Sequence, residues 1–449
     1  MRTVRVLLIS TYELGRQPFG LASPAAWLKA EGHEVTLADL SCSPLPAQAL
    51  ARADLVAFFL PMHTATRLFL QVAERVKAAN PRAHLCAYGL YAPLNDALLR
   101  QAGCATTIGG EFEQPLVELA RRLAAGSDGA AGPPLVSLER QQFRVPDRAS
   151  LPALASYASL VMNGSTRQVG YTEASRGCKH LCRHCPVVPV YQGLFRIVQP
   201  EVVLADIRQQ VAAGAQHITF GDPDFFNGPG HAMRIVEALH REWPRLTYDA
   251  TIKIEHLLDH RDLLSRLDST GCLFVTSAVE SLDDDILEKL AKGHTFADFI
   301  EALHLTRAAG LPLAPTFIPF TPWTTRDSYR SFLRQLADLD LSSQVAPIQL
   351  AIRLLIPEGS LLLDLPEIRE MVGPYDARAL AYPWCNPDPS LDPLSASIQE
   401  LIKRQERRRA SRVEIFRQIW DLAGNGSFPE DAPRPDRATI PYLTEPWYC

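Results

Sequence analysis

The chain opens on VRVLLIS (4–10), a continuous apolar run between polar neighbours, the pattern of a strand covered on both faces. LASPAAWLKAEG reads as a helix ending near Gly32, and EVTLADL as the next strand, completing one βαβ unit. The alternation repeats through DLVAFFL (54–60), ATRLFLQVAERVKAA, HLCAYG (84–89), LNDALLRQA and TTIGGEFEQPLVELARRLAAG. Strands and helices at this spacing predict a doubly wound, Rossmann-like parallel sheet over 1–125, with any ligand at the carboxyl ends of its strands.

From 126 to 169 the pattern breaks into GSDGAAGPP, VPDRASLPALASY and MNGSTRQ, which predicts a linker. A second βα series then follows. EVVLADIRQQVAAG, GHAMRIVEALHREWP and LLDHRDLLSRLDSTG read as helices, while QHITF, LTYDATIKI, CLFVTSAVES, LPLAPTFIPF and SSQVAPIQLAIRLLI read as strands. About six strand–helix pairs predict a partial (β/α)6 barrel over 170–360 with its site at the strand carboxyl ends. Residues 361–449 alternate proline-rich and helical stretches, with SASIQELIKRQERRRASRVEIFRQIWDLAG as one long helix in an otherwise irregular C-terminal extension.

Composition narrows the function. A length of 449 residues implies two or three domains, and 47% hydrophobic with 21% charged residues is the balance of a globular protein. A net charge of -5 leaves no footprint for nucleic acid, and the basic run KRQERRRASR (403–412) reads as a solvated helix face. No run approaches the roughly 20 apolar residues of a membrane span, and MRTVRVLLIS leads into a strand rather than a signal peptide, so the expected location is cytoplasmic. Nine cysteines, three of them in one motif, do not form a secreted disulfide framework; Cys42, Cys86, Cys104 and Cys272 read as structural thiols.

That motif is CKHLCRHC, with Cys178, Cys182 and Cys185 at C-x3-C-x2-C spacing. Three soft thiolates can hold three irons of a cubane cluster and leave the fourth open. The other reading is zinc, with His180 or His184 as further ligands, although zinc sites usually pair C-x2-C units.

With the sequence around it, the motif resembles the radical S-adenosylmethionine (SAM) superfamily from 170 to about 360. The resemblance implies a 4Fe-4S cluster on the three cysteines, with SAM chelated to the open iron. His184 stands where that family often has an aromatic residue. In FGDPDFF, Gly221 and Asp222 occupy the place of the turn that holds the methionine ammonium, with Asp224 as a second carboxylate. In SAVESLDDDILEKLAKGHT, Ser277 and Glu280 match strand-end residues that approach the cofactor, and Arg353 takes the place of a basic residue near its carboxylate. Lys253 and Glu255 in ATIKIEH would face the barrel mouth or form a local ion pair. The implied reaction takes one electron from a donor such as a flavodoxin or ferredoxin, cleaves SAM, and modifies a small-molecule or peptide substrate through a 5'-deoxyadenosyl radical.

The front domain, with GHEVTLADL and IGGEFEQPLVELA, resembles the cobalamin-binding domain that precedes many such enzymes. The loop after its first strand reads TYELGRQPFG, however, and lacks the D-x-H-x-x-G histidine; His63 is a ligand or a loop residue. The ending PWYC resembles a subgroup with cysteine or selenocysteine tail signatures, in which the chain continues beyond this point. Cys449, with Cys385, is thereby implicated in metalloid binding, disulfide exchange or hydrogen-atom donation. Alternative activities are cobalamin-dependent methyl transfer, aminocarboxypropyl transfer to a metalloid, and a noncatalytic iron–sulfur or zinc module.

Overall fold

The computed structural model describes residues 2–126, 133–428 and 441–444. The strands are β1 (Arg5–Ser10), β2 (Glu34–Asp39), β3 (Leu55–Phe59), β4 (His84–Tyr88), β5 (Thr106–Gly110) and β6 (Val136–Ser137) in the front half. They continue with β7 (Ser159–Met162), β8 (Ser165–Thr172), β9 (Ser175–Gly177), β10 (Phe195–Ile197), β11 (His217–Phe220), β12 (Thr247–Thr251), β13 (Cys272–Glu280), β14 (Leu313–Phe317) and β15 (Tyr442–Leu443).

The first six strands form one parallel sheet in the order β2-β1-β3-β4-β5-β6. The apolar runs of β1 and β3 explain its depth. Residues 6–9 and 55–58 have essentially no exposed surface, and the two faces pack into separate hydrophobic clusters under helices such as Phe19–Ala30 and His63–Ala79. The strand order reverses direction at β1/β3, where a doubly wound sheet places its ligand crevice.

The second sheet runs β14-β13-β12-β11-β8-β7-β15, parallel from β8 to β14 and antiparallel at β7 and β15. It forms an open partial barrel. Ile218, Val275 and Val279 face the helices in the largest core, whereas Thr219, Asp249, Phe274 and Thr276 line the opposite, concave face.

Five expectations change. SSQVAPIQLAIRLLI is not a strand: Pro347–Leu350 forms a 3-10 turn, and only a single bridge, Phe320 to Arg353, continues the sheet, because Pro347 removes a ladder donor. β12 ends at Thr251, and Glu255 lies in the first turn of helix Ile254–Asp259. The long tail helix is two helices, Leu391–Arg407 and Arg412–Ala423; Arg409 takes a φ of 57° between them, and the Ser411 hydroxyl caps the second. Arg412 is therefore buried, donating to Gln344 O at 2.7 Å, rather than part of a solvated face. The stretch expected as a linker also contributes β6, β7 and the first half of β8.

Buried ion pairs join the two halves. Arg176 on β9 bonds Glu113 at 2.7 Å, Glu173 at 2.6 Å and Glu111 at 3.3 Å. Arg148 bonds Asp206 through two nitrogens and also donates to Gln17 Oε1 and Tyr171 O. Arg176 reaches from the barrel to carboxylates at the carboxyl end of β5 and the start of helix Glu113–Ala125, fixing that end over the barrel mouth.

Candidate active site

The cysteine loop is set by Gly177, whose φ is 75°. A Cβ there would meet the Tyr191 ring at 2.4 Å and Leu194 O at 2.5 Å, so only glycine allows this turn into Cys178. Asn227 holds the loop from one side, accepting from Lys179 N and donating to Gly177 O, both at 3.2 Å. From the other side Arg183 reaches the carboxyl end of helix Asp284–Lys289, donating to Glu288 O at 3.1 Å and Lys289 O at 2.9 Å.

Cys178, Cys182 and Cys185 are free thiols, Cys182 being buried. Burial pushes the Cys178 thiol up to about 11 and the Cys185 thiol up to about 12, and the neighbouring thiols add to both shifts. Thiols so placed become good thiolates only when a metal centre supplies positive charge. The set fits the three cluster irons.

Two lysines close over them. Lys253 Nζ stands 3.8 Å from Cys182 Sγ, 2.6 Å from Glu255 Oε2 and 3.1 Å from Lys292 O. Lys292 is buried with its Nζ 3.5 Å from Glu280 Oε1. Glu280 ends β13 with a φ of 72° and also meets His184 Nε2 at 3.1 Å. Burial opposes its charge, but Lys292 and His184 win and hold the carboxyl down at about 2. His294 lies beside them with both ring nitrogens unpartnered, and burial followed by the two lysines lowers it to about 4.

Asp222 and Asp224 part company. Asp222 accepts from Ala174 N at 2.9 Å and from the Ser175 hydroxyl at 2.6 Å, so its carboxyl tethers the segment leading into the cysteine loop; burial pushes it up to about 7. Asp224 faces the cysteine side, with Oδ2 2.7 Å from His256 Nδ1 and 3.6 Å from His180 Nε2. Burial acts against its ionisation, but His180 and His256 hold the carboxyl well below its ordinary value. Among the described residues, His180, Asp224 and His256 are the group whose donor atoms could hold a metal ion. Sequence reading missed His256, whose only signal is its place in IKIEH beside Lys253.

Gly221 is required by packing: a Cβ would lie 1.9 Å from Tyr171 Oη. Ser277 alternates in phase with Val275 and Val279 on β13, is fully buried and does not line the barrel cavity. Arg353 is likewise committed elsewhere: its guanidinium lies 3.6 Å from the centre of the Trp384 ring and pairs with Asp392. Cys385, beside that tryptophan, is exposed, and Cys449 lies outside the described residues.

Two cavities meet here. One of about 590 Å³ follows the concave face of the second sheet. The other, about 210 Å³, lies between the halves at the carboxyl ends of β1, β3 and β5, lined by Glu13, Phe59, Met62, Phe112, Tyr171 and Tyr191 among others. Leu14, Arg16, Gly221 and Pro223 line both. His63 does not line the crevice: its Nε2 lies 2.6 Å from Ala379 O, tying the front domain to the C-terminal extension.

Residues 172–336 match the family model described as the radical SAM superfamily, and residues 5–120 match the B12 binding domain. The chain thus carries a radical SAM domain with a B12-binding domain in front of it. It is similar to the hopanoid C-3 methylase of Methylococcus capsulatus, 26% identical over 330 residues that cover 71% of this chain and 64% of that one. It thus spans just under two thirds of that relative. Its fold is that of the cobalamin-dependent SAM radical enzyme OxsB, solved with aqua-cobalamin and SAM: the TM-score is 0.71 at 15% identity, over 89% of this chain and 67% of OxsB. The radical SAM methyltransferase TsrM from Kitasatospora setae, solved with cobalamin and a [4Fe-4S] cluster, gives a TM-score of 0.62 at 17% identity, over 76% and 75%. Cys178, Cys182 and Cys185 are the residues that could hold such a cluster, and Asp224, Lys253 and Glu280 each contact a residue of their loop, His180, Cys182 and His184 respectively. No membrane-spanning helix occurs among the described residues.

Proposed function

We propose that this radical SAM enzyme is a cobalamin-dependent methyltransferase. The carrying observation is the continuity of the two cavities: the crevice at the carboxyl ends of the front strands reaches Gly177 at the start of the cysteine loop and shares Leu14, Arg16, Gly221 and Pro223 with the barrel cavity. A corrinoid in the crevice and SAM on the cluster would both face one reaction volume.

The crevice is in the right place, but its 210 Å³ is below the usual range for small ligands, so a corrinoid needs its walls to part. The described residues that line it include no histidine, so a corrinoid there would be held without an imidazole from them. When bound, the cluster supplies one electron to SAM and the corrinoid supplies the methyl group.

The chain's own residues do the rest. Cys178, Cys182 and Cys185 hold the cluster, and Gly177, Asn227 and Arg183 fix their loop. Asp224, kept ionised by its histidines, is placed to accept from the SAM ammonium. Lys253 and Lys292 offset thiolate and cluster charge, and Glu280 keeps Lys292 in place. The buried pairs of Arg176 and Arg148 keep the mouth closed to water.

Protein reconstituted anaerobically with iron, sulfide and hydroxocobalamin is expected to retain corrinoid by its visible spectrum. Reduced with SAM, it should then release both S-adenosylhomocysteine and 5'-deoxyadenosine. No retained corrinoid, with 5'-deoxyadenosine formed equally without it, would overturn methyl transfer and leave the simpler radical reaction. Methylthioadenosine as the product would identify aminocarboxypropyl transfer instead. Cys182→Ala is expected to lose the cluster absorbance and every product.

A further inference from the structure

Beyond the cysteine end, the barrel cavity carries a carboxylate that the methyl-transfer reading does not use. Asp249, in the middle of β12, lines the cavity and is more than nine-tenths buried. His217 Nε2 lies 2.8 Å from its Oδ1 and the Thr219 hydroxyl donates to the same oxygen at 2.6 Å. His217 is fully buried beneath it and stacks at 6.3 Å on Phe274, another cavity residue. The side chain is thus locked by two partners through one oxygen, and no described contact falls on Oδ2.

The position separates this group from SAM chemistry. Asp249 precedes Lys253 by four residues, about 13 Å of extended chain below the cysteine loop. Thr219, Thr251, Thr276 and Thr316 face the same space as Phe274, and the other charged side chains of the cavity, Arg16, Asp222, Glu406 and Arg412, come from other segments of its lining. A volume of about 590 Å³ suits a small molecule. A fixed carboxylate whose second oxygen is left open in such a setting favours a cation, since a charge-assisted bond is roughly twice as strong as a neutral one.

We infer that Asp249 anchors the substrate, and that the substrate is a small polar molecule bearing a protonated amine, not an apolar hydrocarbon. The amine binds Asp249 Oδ2 deep in the barrel, and the carbon skeleton extends past Phe274 toward the cysteine end. This rests on the barrel cavity being the substrate site of the methyl-transfer reading. Binding is read without turnover, so the two can fail separately.

The test is anaerobic equilibrium dialysis of full-length, cluster-loaded protein against two series that share a skeleton. These are tryptamine, tryptophol and 3-ethylindole, and tyramine, tyrosol and 4-ethylphenol. Wild type is expected to retain at least one amine about tenfold more tightly than its alcohol and hydrocarbon. Asp249→Asn preserves the Thr219 bond and should melt at the wild-type temperature, yet bring the amine-to-alcohol ratio close to one. Equal retention across a series, preference for a hydrocarbon, no amine retained at millimolar concentration, or an unchanged preference in Asp249→Asn would each overturn the assignment. Should Asp249→Asn misfold, Asp249→Glu, which keeps the charge but moves it, must alter the preference for amine length or the proposal fails.

Discussion

Lys253 Nζ lies 3.8 Å from Cys182 Sγ while the same ammonium holds Glu255 at 2.6 Å. A buried cation beside a cluster ligand favours the more negative, reduced cluster. Replacing Lys253 with Met is expected to leave iron content unchanged, shift the cluster midpoint to more negative potential, and slow reductive SAM cleavage by about tenfold. A redox titration followed by electron paramagnetic resonance checks the shift. An unmoved midpoint would mean that Lys253 serves only to hold Glu255.

Asp222 gives the protein a pH dependence of known sign. Its folded carboxyl titrates at about 7, against 3.8 for the free side chain, because burial outweighs the bonds from Ser175 and Ala174. A raised carboxyl favours the fold fully below the unfolded value, and that contribution is lost as pH rises from about 4 through 7. Asp222→Asn should flatten the urea midpoint over this window and match or exceed wild-type stability at pH 8. The difference is on the order of a few kcal/mol.

Arg176 faces three carboxylates, and its removal leaves them buried together. Arg176→Met should cost roughly 3–5 kcal/mol, and adding Glu113→Gln should recover part of it. Chemical denaturation of the single and double variants measures the coupling.

Arg353 belongs to the C-terminal extension through Trp384 and Asp392. Arg353→Ala is expected to lower stability by about 1–2 kcal/mol without changing SAM affinity in dialysis. A large loss of SAM affinity at unchanged stability would restore this residue to the cofactor site.

The parts of the site that rest on near neighbours were legible in the sequence. The cysteine spacing is fixed within eight residues, and the alternation of strand and helix announced both α/β halves. The proline-bearing APIQL misled because its apolar residues imitate a strand, while Pro347 and the turn it favours forbid the ladder. For Ser277 the sequence left the choice of strand face open, and the phase of β13 places it with Val275 and Val279.

What local order could not settle was which of several similar groups meet. Asp222 and Asp224 stand two residues apart, yet one is consumed by Ser175 and the other by His256. Lys253 and Cys182 are 71 residues apart, and Asp249 is joined to His217 across neighbouring strands. The alternating pattern, the cysteine motif and the glycine turns were written in the chain because propensity, burial and φ act over a few residues. The charge environment of the cysteines, the continuity of the two cavities and the carboxylate in the barrel arise only when parallel register brings distant strands side by side, and tertiary packing alone decides those.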